Sequence, residues 1–173
     1  MKPRITLAET QLADGNILTL QEHDGRKSLL VHGQQICGPA TLASEEELAR
    51  LACAPFRPAR QPRIWFCGLG LGQTLAAVSR ELPQKRANFI VAEPLAAIPD
   101  WHRTHIPDSP LLTDGRVILE NDCSPQALKQ QELQVKAELC AMPTMWYVRQ
   151  LTLAVLKGAS SQVWTISARI SGV

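Results

Sequence analysis

The stretch RIWFCGLGLGQT, Arg63 to Thr74, decides how the rest of the chain is read. Ile64 to Cys67 is a short apolar run of the kind that forms a buried strand, and Gln73 to Leu82 carries helical spacing. Between them stand Gly68, Gly70 and Gly72. Glycine lets the backbone turn sharply and approach a bound molecule closely. The start of the following helix adds free N–H groups and the positive end of its dipole. Three glycines alone say little; a strand before them and a helix after them make a ligand-cradling turn.

Outward from the turn the pattern alternates. Asn88 to Ala92 reads as a second strand, Leu95 to Arg103 as a helix and Arg116 to Glu120 as a third strand. Parallel strands need crossover helices, so this order predicts a doubly wound α/β, Rossmann-like parallel sheet. Glu93 ends the second strand at the interval, roughly twenty residues, at which an acid accepts hydrogen bonds from the two hydroxyls of a ribose. Asp122 follows the third strand on the same sheet edge, where it can accept from an adenine amino group. Gly68, Glu93 and Asp122 are thereby expected to line one crevice for a small-molecule nucleoside. No Lys-Ser or Lys-Thr follows the glycines, which excludes a Walker phosphate loop.

The first forty residues read as an antiparallel β module, with strands at Ile17–Gln21 and Ser28–His32 and turns at Asp14-Gly15 and Asp24-Gly25. Ser44 followed by Glu47 has the form of a capping box opening a helix from Glu45 to Cys53. The proline-rich Ala54–Pro62 then breaks the pattern. The expected division is residues 1–58, a hairpin module with a short helix, and 59–173, the nucleoside-binding domain. Beyond Asp122 the tail reads as a helix from Ser124 to about Leu139, a second from Thr144 to Leu156, and a last strand from Val163 to Ile170.

Composition narrows the field further. The 173 residues, 45% hydrophobic and 20% charged, suit one soluble domain with a small appendage. A net charge of +2 is too small for a nucleic-acid-binding field. The opening MKPRITLAET has no apolar segment behind its basic residues, and no run of about 18 apolar residues occurs, so a cytoplasmic protein without membrane contact is expected. Five cysteines, Cys37, Cys53, Cys67, Cys123 and Cys140, are widely spaced and read as reduced, mostly buried thiols. His102 and His105 form an HxxH pair, but no acid or cysteine completes a ligand set, and no metal site is expected.

Several of these segments together resemble one family. The β module, SEEELA from Ser44, GLGLGQT from Gly68, VAE ending at Glu93, Trp101, and PLLTDGRV from Pro110 are similar to spermidine synthase-like proteins. These are aminopropyltransferase relatives within the class I S-adenosylmethionine-dependent methyltransferase fold, and the similarity covers about residues 5 to 128. The resemblance implies a transferase of polyamine biosynthesis type. It also implies binding of S-adenosylmethionine or decarboxylated S-adenosylmethionine by Gly68, Gly70, Gly72, Glu93, Asp122 and Gln35. Two departures stand out. The family's amine-binding acid within the glycine loop is replaced by Leu71, which cannot accept a hydrogen bond. After Asp122 there is no further Asp or His, only Glu132 and Glu138 on an expected helix surface, so no catalytic residue is assigned. Enzymatic activity therefore stays open beside two alternatives: a non-catalytic scaffold for self-association as a homodimer, and an incomplete copy of a larger transferase.

Overall fold

The computed structural model describes residues 3–120, 137–141, 150–156 and 163–169. Four strands form the first sheet: β1 (Ile5–Gln11), β2 (Ile17–His23), β3 (Arg26–Val31) and β4 (Gln34–Cys37), each antiparallel to the next. The Asp24-Gly25 turn has positive φ at both residues, 51° and 73°, the mirror-image turn that matches the twist of a hairpin. His32-Gly33 repeats it between β3 and β4, at 51° and 73°.

Helix α1 (Leu42–Cys53) follows. The expected capping box does not form, because the helix begins earlier, at Thr41. The Ser44 hydroxyl donates to the Thr41 carbonyl at 2.8 Å instead of accepting from a backbone amide, and Glu47 pairs with Arg50. The proline-rich stretch starts with a single 3-10 turn, Ala54–Phe56, whose Phe56 ring enters the core.

The second sheet begins with β5 (Arg63–Cys67). After it come α2 (Gln73–Glu81), β6 (Asn88–Ala92), α3 (Ala97–His105), the short α4 (Pro110–Thr113) and β7 (Val117–Glu120). Strand β8 (Ala137–Ala141) pairs parallel to β5 on the side away from β6. β9 (Gln150–Leu156) and β10 (Val163–Arg169) then add antiparallel, for an order β10-β9-β8-β5-β6-β7. The chain thus has a Rossmann-like parallel sheet, doubly wound about β5, with a small antiparallel sheet at its N-terminal side. The strand order reverses between β5 and β8, which puts a ligand crevice outside their carboxyl ends, where the glycine turn lies.

The tail corrects the sequence reading. Ala137–Leu139 and Gln150–Leu156, expected to be helical, are strands, while residues 121–136 and 142–149 lie outside the described residues. Short apolar runs such as LTLAVL fit either period, and here an open edge on β5 and then on β8 decides for strand. The last strand, expected over Val163–Ile170, spans Val163–Arg169.

One core cluster joins both sheets. Leu18, Leu20 and Leu29 of the first sheet pack in it with Ala49 and Cys53 of α1, Val78 of α2, Trp101 of α3, and Ile64, Phe66, Phe89 and Val91 of β5 and β6. Phe66 and Phe89 meet edge to face at 6.3 Å. Trp65, Cys67, Ile90 and Ala92 form a second cluster on the opposite face, as period-two alternation in a sheet covered on both sides requires. Arg116 closes the amino-terminal edge of this sheet: it donates to the Leu82 carbonyl, the Ser79 hydroxyl and Asp114 while lying 4.7 Å from the Phe89 ring centroid. No helix among the described residues is long and apolar enough to cross a membrane.

Candidate nucleoside site at the glycine turn

The turn after β5 needs all three glycines. Gly68, Gly70 and Gly72 have φ of 89°, 55° and 73°, a region in which a Cβ costs roughly 1–2 kcal/mol per residue. At Gly72 space adds to the restriction, since a Cβ would lie 3.1 Å from Cε1 of His102. Gly68 N–H donates to the Ala92 carbonyl at 2.8 Å and Gly72 N–H to the Leu69 carbonyl at 2.8 Å, so the turn is stitched to β6 and to itself. Gly72 caps α2, and its carbonyl accepts the first helical bond, from Ala76 N–H at 2.8 Å.

Glu93 lies where the sequence places it, directly after β6, but it is only 3% exposed. Its Oε2 accepts from Leu69 N–H at 2.7 Å and its Oε1 from Leu95 N–H at 2.9 Å. Burial raises the carboxyl pKa against the pull of the neighbouring backbone amides. A carboxylate offers about four lone-pair sites, so the two amides leave about two for ligand hydroxyls.

Glu93 N–H donates to the Glu120 carbonyl at 2.9 Å, so the end of β7 is level with Glu93. Asp122, two residues further on, lies outside the described residues. Gln35 sits on β4, where its Oε1 accepts from Ser28 Oγ at 3.3 Å and its buried Nε2 has no hydrogen-bond partner among the described residues. The β4 end does reach the turn, through Cys37 rather than Gln35: a Cβ on Gly70 would lie 3.5 Å from Cys37 Sγ. Leu71, in the place of the resemblance's amine-binding acid, packs against the apolar core.

Two groups of residues beside the turn were not expected from the sequence. Glu45, in the first turn of α1, accepts from Thr41 Oγ1 at 2.8 Å and from Thr74 Oγ1 at 2.7 Å, tying α1 to the start of α2. Cys37 Sγ lies 3.8 Å from the same carboxylate, and burial followed by the Glu45 charge pushes its thiol up to about 12. His102 is 1% exposed, with Nε2 2.9 Å from the Gly70 carbonyl and Nδ1 2.5 Å from Ser109 Oγ. The one sequence signal for it was its place in the HxxH pair, and its two nitrogens serve the fold. Among the described residues no three His, Cys, Asp or Glu side chains cluster as metal ligands. Cys37, Cys53 and Cys67 are buried.

No family model matches the sequence. No curated protein matches it either. Solved structures do. Spermidine synthase from Thermotoga maritima superimposes with a TM-score of 0.64 at 14% identity, over 82% of this chain and 48% of that one. A spermidine synthase in complex with the transition-state analogue AdoDATO gives 0.63 at 13% identity, over 81% of this chain and 46% of that one. The chain spans about half the length of these two structures. In fold the chain is similar to these spermidine synthases, a doubly wound parallel sheet with a small antiparallel sheet at its N-terminal side.

Proposed function

We propose that this chain binds an adenosine-type nucleoside, S-adenosylmethionine or its decarboxylated form, across the glycine turn. The observation that carries the reading is the union of two parts at the switch point of the sheet. Gly68, Gly70 and Gly72 are all in positive-φ conformations, and the Glu93 carboxylate is hydrogen-bonded beneath them to the Leu69 amide. In this reading Glu93 takes a ribose hydroxyl, the turn and the N-terminus of α2 face the sulfonium side of the ligand, and Asp122 takes the base. Spermidine synthase-like folds that carry such ligands support it.

Aminopropyl or methyl transfer is the reaction class that fits this ligand. In-line attack by an amine on the carbon beside the sulfonium needs a nearby carboxylate to take the amine's proton. Glu93 and Glu45 beside the turn are both committed to donors within the fold, and neither is assigned as that base. Binding is therefore the part of the function that these residues support. The competing reading, a sheet kept as a scaffold for self-association, is favoured by the closure of Glu93.

Isothermal titration separates the two. Heat with a dissociation constant in the range of about 1–100 μM is expected with at least one of S-adenosylmethionine, decarboxylated S-adenosylmethionine and 5'-methylthioadenosine. Silence with all three, in protein shown to be folded, refutes nucleoside binding and leaves the scaffold reading.

A further inference from the structure

We infer that His102 is a positioning residue for the glycine turn, holding the Gly70 carbonyl so that the turn keeps the shape it presents to a ligand. The turn is gripped from two sides. The Leu69 amide donates to Glu93 at 2.7 Å, and the Gly70 carbonyl lies 2.9 Å from His102 Nε2. A carbonyl can only accept, so Nε2 carries the ring's proton and Nδ1 is left with a lone pair. That lone pair, 2.5 Å from Ser109 Oγ, accepts the serine hydroxyl. Ser109 in turn caps α4 by accepting from Leu111 N–H at 3.3 Å, and its own amide donates to the Ile106 carbonyl at 3.0 Å.

Every polar atom of this buried chain has a partner in one protonation state only, the neutral Nε2–H tautomer. An imidazolium would direct a second donor at Ser109 Oγ and leave the hydroxyl proton without an acceptor. Burial acts in the same direction, lowering the His102 pKa from its ordinary value. The ring also explains Gly72 in space as well as in φ: its Cε1 occupies the room that a side chain there would need. The link joins residues 32 apart in sequence, from the helix after β6 to the turn after β5, so no local propensity supplies it.

The consequence for affinity rests on the nucleoside reading proposed above; the consequence for the turn does not. The test uses the full chain without ligand and then with 5'-methylthioadenosine. Imidazole nitrogen shifts at pH 7.5 should show the Nε2–H tautomer. Native-state hydrogen exchange should show Leu69 and Gly72 amides protected, with protection falling about tenfold or more in His102→Leu and recovering to within about threefold in His102→Gln, whose amide nitrogen can reach the same carbonyl. A Ser109→Ala variant should keep the Nε2–H tautomer, because the Gly70 carbonyl still requires a donor. Affinity should follow the same order, weakest in His102→Leu. The Nδ1–H tautomer or an imidazolium in the wild type overturns the inference. Unchanged Leu69 and Gly72 exchange in folded His102→Leu overturns it as well. Should His102→Leu fail to fold, the wild-type tautomer and His102→Gln exchange decide. Ordered exchange results with no binding in any variant would sink the nucleoside reading and leave the positioning role standing.

Discussion

Replacing Glu93 should weaken the fold as well as any ligand site. In Glu93→Gln one amide oxygen can keep either the Leu69 or the Leu95 N–H, but the NH₂ group then points a donor at the other. One lost hydrogen bond with a buried donor left behind costs about 1–3 kcal/mol. In Glu93→Ala both acceptors go, and bonds to a charged group at about 1.5–3 kcal/mol each put the loss near 3–6 kcal/mol. For a chain of this size each kcal/mol lowers Tm by about 2–4 °C, so Glu93→Gln should melt roughly 2–12 °C early and Glu93→Ala should be marginal. The pH profile supplies a second readout. Because the folded pKa is raised, the folded state binds the proton more tightly, so this group's contribution is largest below the ordinary value of 4.5 and is lost as pH rises through the folded pKa. Glu93→Gln removes that slope. Thermal unfolding by circular dichroism, repeated between pH 4 and 8, measures both. A Glu93→Ala protein that melts within 1 °C of wild type, with Leu69 still protected from exchange, would show that the carboxylate does not hold the turn.

Three further outcomes follow from the same geometry. Arg116→Met should cost about 1.5–3 kcal/mol, because the Leu82 carbonyl, Ser79 and Asp114 all lose a charged donor. Arg116 holds the Asp114 carboxyl well below its ordinary 3.8, so its stabilisation is present above that value and lost as pH falls below it; acid titration of Arg116→Met should lack this loss. Gly72→Ala should lose about 1–2 kcal/mol from its φ of 73° alone, with more from the crowded His102 ring, and urea unfolding would give the sum. Burial pushes the Cys37 and Cys53 thiols up to about 12, so native protein at pH 7.5 should resist iodoacetamide at both positions by mass mapping; rapid native-state alkylation would contradict their burial.

Residues 63–120 were legible because each signal there is local. The apolar runs of β5 and β6 and the positive-φ glycines between β5 and α2 act through neighbouring backbone, and the strand order follows from the crossover rule. The start of α1 was misplaced because Ser44 and Glu47 have the spacing of a capping box while Thr41, already turned back on Gly38 through a 3.0 Å bond, begins the helix three residues sooner. The tail was misread for a different reason. LTLAVL has no period that separates helix from strand, and only an unfilled sheet edge makes it β9.

Sequence alone determined that a strand, a glycine bend and a helix would be followed by an acid at the next strand end, since sterics and hydrophobic period act within a few residues. Only the tertiary structure decided that Glu93 is sealed beneath the bend by amides as far as 24 residues away, that His102 clasps its carbonyl, and that β8 to β10 are strands. Those outcomes depend on which distant groups meet and on whether water is excluded where they do, and neither is written in local spacing.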